Sequence, residues 1–210
     1  MSTSTSVVSD PNAEDSEKKF KKISFIDNVI SEDHADYLQM IFNDNYPWVT
    51  GPTAYADDNF WSNYSLLYNK DPDNTNTIVD PRHGYFLPIL FNACKEKNLK
   101  IYEPLRIRCG LIYTNQGGDN HRPHVDLPGQ PHHSLIYYVN DSDGPTKIFK
   151  GGKIVQKINP KKGRCFIMDG DTWHSSSHPK EHSHRIVVNI NFVVKGYYYK
   201  DENGRPLHFE

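Results

Sequence analysis

The chain has 210 residues and a formal charge of −2. It is long enough to bury a core, and too nearly neutral to imply a general affinity for nucleic acid or an anionic membrane surface. Three cysteines, Cys94, Cys109 and Cys165, are odd in number and form no CxxC, which argues against a disulfide framework or a cysteine zinc site and fits a reducing, cytoplasmic compartment. No run approaches the roughly 18 apolar residues of a membrane span, and the N-terminus lacks the apolar stretch of a secretory signal.

In chain order, residues 1–19 are rich in Ser, Thr, Asp and Glu and read as a flexible tail. The remainder, 20–210, reads as one domain: helical support and loop over 20–100, a β core over 101–195, and an extension over 196–210. "KKISFIDNVI" predicts a short strand. "SEDHADYLQMIFND" predicts a helix capped by Ser31, with His34, Leu38, Ile41 and Phe42 on one face. Residues 43–82 are rich in Asn, Asp and Pro and read as irregular; Trp48, Tyr55, Phe60 and Trp61 within them could form a lid or cap a barrel. "GYFLPILFNACKEKN" predicts a second helix, with Pro88 near its start and Phe86, Ile89, Leu90 and Ala93 in register.

Beyond residue 100 the texture becomes that of short strands: "IYEPLRIRCGLIY", "HHSLIYYVN", "TKIFK", "GKIVQKINP", "GRCFIMDG" and "HRIVVNINFVV", divided by "NDSDG", "KGG" and "NPKKG". Thirteen Tyr and ten Phe agree with a β-rich chain. Six short strands without room for crossover helices predict an antiparallel sandwich or barrel. In the last strand Ile186, Val188, Ile190 and Phe192 share one face, which the two helices can cover. Arg185, Val187, Asn189 and Asn191 share the other, which fits the wall of a wet pocket. The tail 196–210 could form a final hairpin or cover one sheet.

Eight of the eleven histidines fall between His121 and His184. His124 and Asp126 stand at i and i+2, so in an extended segment both side chains leave the same face and can grip one ion. His174, after a strand and a tight turn, is the candidate third ligand. Two histidines and one carboxylate on one side of a metal form the arrangement of non-haem Fe(II) oxygenases. The chain holds its own control: His34 and Asp36 have the same spacing on a helix, where they point about 200° apart, and are rejected. Arg185, enclosed on its strand, would need an anion such as a co-substrate carboxylate; a surface pairing with Glu181 is the plainer alternative. His121 reads as a rim or substrate contact, and His178, His182 and His184 read as exposed.

These residues carry a resemblance to the Fe(II)- and 2-oxoglutarate-dependent dioxygenases, in the prolyl-4-hydroxylase-like branch. It covers roughly residues 22–195 and rests on "IYTNQGGDNHRPHVD", "LIYYVNDSDGPTKIF", "INPKKGRCFIMDGDTWHSSSHP" and "HRIVVNINF". It implies a double-stranded β-helix, a jelly-roll or cupin-like barrel of mainly β class, with N-terminal helices packed on the major sheet. It implies Fe(II) held by His124, Asp126 and His174, and 2-oxoglutarate held by Arg185 with Tyr113 and Asn189 as further contacts. O2 would be consumed, and ascorbate has a place as accessory reductant. The expected reaction is hydroxylation of a peptide side chain or small molecule, with 2-oxoglutarate giving succinate. Asp126 stands where a halogenase would have Gly or Ala, so hydroxylation is favoured over halogenation. The collagen-type enzymes carry Lys in place of Arg185, and the segment before His124 is longer than usual, so prolyl specificity does not transfer. The competing readings are a zinc hydrolase with the same three ligands and a non-enzymatic jelly-roll binding module. The sequence assigns no oligomeric state.

Overall fold

The computed structural model describes residues 21–42, 45–52, 61–71, 77–114, 121–196, 198–200 and 206–208. The N-terminal half supplies strand β1 (Phe25–Ile26), helix α1 (Glu32–Ile41), strands β2 (Val49–Pro52), β3 (Trp61–Asn69) and β4 (Ile78–Val79), and helix α2 (Leu87–Glu96). Strands β5 (Ile101–Tyr113), β6 (His133–Tyr138), β7 (Thr146–Lys150), β8 (Lys153–Ile158), β9 (Cys165–Asp169), β10 (His174–Ser175) and β11 (His184–Val194) follow. Two short strands, β12 (Tyr198–Lys200) and β13 (Pro206–His208), pair as a terminal antiparallel hairpin.

An eight-stranded antiparallel sheet runs in the order β1-β9-β6-β11-β5-β3-β2, with β4 on β3, and a three-stranded sheet β10-β7-β8 accompanies it. This is the jelly-roll arrangement expected of the β-rich half. Strand β11 sits at the centre of the large sheet, between β5 and β6.

The helices form where the sequence places them. Ser31 caps α1 by accepting the His34 N–H, and Glu32 and Asp33 fill the positive first turn. Leu38 of α1 and Phe42 at its C-terminal cap, and Ile89, Leu90 and Ala93 of α2, join Ile107 and Cys109 of β5 and Ile186, Val188, Ile190 and Phe192 of β11 in one buried cluster. The helices therefore cover the apolar face of β11. All three cysteines are buried and free, and burial pushes the Cys94 and Cys165 thiols up to about 12. No helix among the described residues is long and apolar enough to cross a membrane.

Residues 43–82 differ from the irregular reading. Strand β3 lies inside this stretch and pairs with β5 along most of its length. Its composition hid it: Ser and Asn interrupt the apolar positions, and a register shift between Leu66 and Tyr68 breaks the two-residue alternation. Trp48 packs against Phe42 and Tyr46, as a hydrophobic cap would. Residues 1–19, Tyr55, Phe60 and the Trp61 side chain lie outside what is described.

One loop sets the entry into β11. The Asp143 carboxylate accepts the backbone N–H groups of Lys180, Glu181 and His182. Burial works against its charge, but these donors win and hold it well below the usual carboxylate range. Gly144 lets the turn approach, since a Cβ there would stand 2.5 Å from the Ser177 carbonyl oxygen.

Leu67, fully buried in β3, tests the correction. Leu67→Ala should cost about 2–5 kcal/mol in urea denaturation, as for a packed core leucine, whereas a leucine in an exposed loop would cost under about 0.5 kcal/mol.

Candidate metal centre

His124 and His174 face each other across a single antiparallel bridge. The His124 N–H donates to the His174 carbonyl at 2.9 Å and the His174 N–H returns the bond at 3.0 Å. Residues so paired project side chains to the same face, and the two imidazole centroids stand 4.5 Å apart. The His–x–Asp segment is thus held by one bridge instead of the strand expected. The chain turns directly after it, where Leu127 accepts the Gln130 N–H and Gly129 adopts φ +78°.

Each imidazole is oriented by its own chain. His124 Nδ1 lies 3.2 Å from the Arg122 carbonyl and His174 Nδ1 lies 2.9 Å from the Thr172 carbonyl. A carbonyl only accepts, so Nδ1 carries a proton in both rings and Nε2 is the atom left to ligate. Burial, and then the neighbouring His174, push His124 down to about 4. At neutral pH it is an uncharged ligand.

Asp126 completes the group: ligand atoms of His124, Asp126 and His174 all lie within 4.8 Å of one another, and His174 Nε2 is 3.8 Å from Asp126 Oδ1. The carboxylate is almost wholly enclosed. Asn189 Nδ2 donates to Oδ1 at 2.7 Å, while Ser134 Oγ and Asn191 Nδ2 donate to Oδ2 at 2.5 and 3.1 Å. Arg106 approaches Oδ1 at 3.4 Å and donates through Nε to Asn191 at 2.9 Å. Burial alone would raise this carboxyl, but His174, Arg106 and the Ser134 hydroxyl outweigh it and keep the group ionised far below the usual range.

Register explains which side chains meet here. On β11 and β5 the directly opposed pairs are Arg185–Ile112, Val187–Gly110, Asn189–Arg108 and Asn191–Arg106. Of these, Arg108, Gly110, Ile112, Arg185, Val187 and Asn189 line a cavity of about 100 Å3, and Arg106 and Asn191 reach Asp126 from the same face. Arg185 is buried in its wall, at 2% exposure. Its Nη2 donates to Thr146 Oγ1 at 2.7 Å, and its guanidinium lies 5.5 Å from the Tyr138 ring centroid. Nε and Nη1 have no hydrogen-bond partner among the described residues. The alternative pairing with Glu181 is not what the structure has.

Tyr113 does not join the cavity. It is 55% exposed and follows Ile112, which lines the cavity opposite Arg185. Alternation therefore turns Tyr113 outward. Tyr138, one of the paired tyrosines in "LIYYVN", lies beside Arg185 instead, its hydroxyl donating to Thr146 at 2.7 Å. His178 also differs from the exposed reading: it is buried, with Nδ1 2.8 Å from the Tyr113 carbonyl and Nε2 3.1 Å from His121 Nε2. His121 is buried in the cavity wall. His34 and Asp36 stay on α1, away from the centre.

Arg106, Arg108 and Ser134 escaped the sequence reading, although strand alternation carried the signal. In "LRIRCGLIY" the two arginines occupy the face opposite Ile107, Cys109 and Leu111. In "HSLIYY" Ser134, Ile136 and Tyr138 share a face.

The donor set suits a divalent iron: two imidazoles and one ionised carboxylate crowded on one side. The partnerless guanidinium nitrogens of Arg185 suit a carboxylate placed beside that ion. The fold is a jelly roll, and its cavity carries a His–Asp–His cluster that could hold a metal ion. Among solved structures the chain resembles a prolyl-4-hydroxylase from Pseudomonas putida, with TM-score 0.54, 12% identity, and coverage of 80% of this chain and 91% of that one. It resembles the Trichoplax adhaerens prolyl hydroxylase in complex with a hypoxia inducible factor peptide, with TM-score 0.58, 14% identity, and coverage of 81% and 82%. It resembles the α-ketoglutarate-dependent epimerase SnoN of nogalamycin biosynthesis, with TM-score 0.57, 12% identity, and coverage of 83% and 78%. No family model matches the chain, and no curated protein matches it.

The hydrogen bonds to Asp126 generate a prediction. Ser134→Ala and Asn191→Ala should each weaken Mn(II) binding about 10–100-fold, as loss of a ligand's supporting partner does. Titration of the metal's paramagnetic resonance signal measures it. Unchanged affinity in both variants would remove Asp126 from the ligand set.

Proposed function

We propose that this protein is a non-haem Fe(II)- and 2-oxoglutarate-dependent dioxygenase that hydroxylates a peptide side chain or small molecule. The observation that carries this reading is the convergence, in one cavity, of His124, Asp126 and His174 with a buried guanidinium whose Nε and Nη1 lack partners. His124, Asp126 and His174 would hold the iron. Arg185 would bind the distal carboxylate of 2-oxoglutarate, with Thr146 and Tyr138 fixing the guanidinium. When bound, iron and 2-oxoglutarate together supply the oxidising power, using O2 and releasing succinate and CO2.

The chain's own residues set position and polarity. The Nδ1 bonds to Arg122 and Thr172 fix both ring orientations. Asn189, Asn191, Ser134 and Arg106 keep Asp126 charged and still. Ile112, Ile136 and Val187 make part of the wall apolar, which limits water near a reacting centre. The solved neighbours, at 12–14% identity, support the oxygenase class through the fold and leave the substrate to be read from this chain. A zinc hydrolase would use the same three ligands but give Arg185 no anion to bind.

Protein prepared without air and given Fe(II) and 2-oxoglutarate should take up O2 and release succinate. His174→Ala should abolish that turnover; near-normal succinate release would overturn the assignment. Arg185→Gln should raise the 2-oxoglutarate Kd about 10–100-fold, corresponding to a charge-assisted contact of about 1.5–3 kcal/mol, with Mn(II) affinity retained.

A further inference from the structure

The Asn189 side chain has two polar ends, and the fold accounts for one of them. Asn189 stands on β11 and lines the cavity. One end of its amide lies 2.7 Å from Asp126 Oδ1. An ionised carboxylate only accepts, so that end is the NH2 group and the other is the carbonyl oxygen. This Oδ1 is enclosed and has no hydrogen-bond partner among the described residues.

The neighbouring strands do not supply a donor to it. Asn189 is paired with Ile136 on β6 and with Arg108 on β5. The Ile136 side chain has none to give, and the Arg108 guanidinium, 4.6 Å from the Tyr64 ring centroid, makes no bond to this oxygen. Ser134 and Asn191 are committed to Asp126 Oδ2 and to each other.

The co-substrate does not fill the gap either. At neutral pH 2-oxoglutarate carries two carboxylates and a ketone, with no N–H or O–H to offer an acceptor. Asn189 can serve it only through the second Nδ2 hydrogen, which leaves Oδ1 as it was. A buried acceptor without a donor costs free energy, and a ligand that brings a donor recovers it. The place is specific. An amide separates its N and O by about 2.2 Å, and a hydrogen bond spans about 2.9 Å, so a donor atom on Oδ1 lies within about 8 Å of Asp126 Oδ1. That is beside the ion the cluster would hold, where the reacting carbon must also lie.

We propose that Asn189 Oδ1 accepts a hydrogen bond from the primary substrate, which presents an O–H or N–H group close to the carbon to be oxidised. This rests on the dioxygenase reading and narrows its substrate class to alcohols, amines and amides. A site built around such a bond rejects molecules that lack the donor, because they leave its acceptor unpaired. The ring of an internal prolyl residue carries neither group and is a poor match.

The test titrates matched probes into protein held without O2 at saturating Mn(II) and 2-oxoglutarate, reading binding from the relaxation that Mn(II) imposes on the probe's protons. The probes are the N-acetyl methylamides of L-serine, L-threonine, L-tyrosine, L-asparagine and L-lysine. Each is compared with the isostere in which a methyl group replaces the side-chain O–H or N–H group. At least one donor should bind tenfold or more tightly than its isostere, and Asn189→Leu should remove that preference. Asn191→Ala is the control: it also takes a donor from Asp126 but leaves Oδ1 in place, and it should keep the preference. Asn189→Ser, which retains a small acceptor, should keep part of it. Circular dichroism checks that each variant is folded. If Mn(II) and 2-oxoglutarate bind but no donor is preferred, the substrate proposal fails and the dioxygenase reading stands. If, besides, Asn189→Leu alters only the relaxation of water on bound Mn(II), Oδ1 serves a water on the ion and the proposal fails. If Asn191→Ala loses the preference as fully as Asn189→Leu, the preference follows Asp126 and the proposal fails. If the wild-type protein binds neither Mn(II) nor 2-oxoglutarate, both readings fail.

Discussion

One geometric constraint governs the whole molecule: successive side chains of a strand leave opposite faces. β11, central in the large sheet, uses both. Ile186, Val188, Ile190 and Phe192 bind α1 and α2 to the sheet, while Arg185, Val187 and Asn189 line the cavity and Asn191, on the same face, donates to Asp126. Core and site are therefore two readings of the same eleven residues. A slip of one position would put a guanidinium and two amides into the helix interface and four apolar side chains over the metal ligands. The hydrophobic packing that stabilises the fold also fixes the register of the site.

The second dependence is electrostatic. Asp126 is an enclosed carboxylate, and burial alone would drive it to its neutral form. Donors from three strands prevent this: Ser134 on β6, Asn189 and Asn191 on β11, and Arg106 on β5. A neutral Asp126 would be a poor metal ligand, so the sheet must be assembled before the site can have its charge. The histidines use a more local device. Each is oriented by a carbonyl two residues earlier, and the bridge between their backbones brings the rings together.

Much of this was legible in the sequence where a strong period acts over a short range. The extents of β5 and β11, the capped helix at Ser31 and the apolar face of α2 follow from spacing and composition. The tripeptide His–x–Asp did not identify a site by itself, since His34 and Asp36 have it too; what separated the two was the secondary structure beneath each. What escaped depended on partners distant in sequence. β3 is recognisable as a strand chiefly because β5 lies beside it. Tyr113 and Ile112 are neighbours, and only the pairing of Ile112 with Arg185 decides which of them turns inward. His178 looked like one of several loop histidines, yet its ring is fixed by the Tyr113 carbonyl and by His121. Local pattern gives the faces of a strand, and tertiary pairing decides which face is inside.

The burial of Arg106, Arg108 and Arg185 around one carboxylate does not serve stability. Enclosing a guanidinium costs free energy, and apolar residues of similar volume in such places are often neutral or stabilising. Burial works against the charge of each of the three. Such an arrangement is understandable if the folded chain is only part of the charge balance. Ligands that bind the native state alone stabilise it in proportion to their occupancy, so an anion held by the partnerless Nε and Nη1 of Arg185 would offset part of the cost of burying that guanidinium.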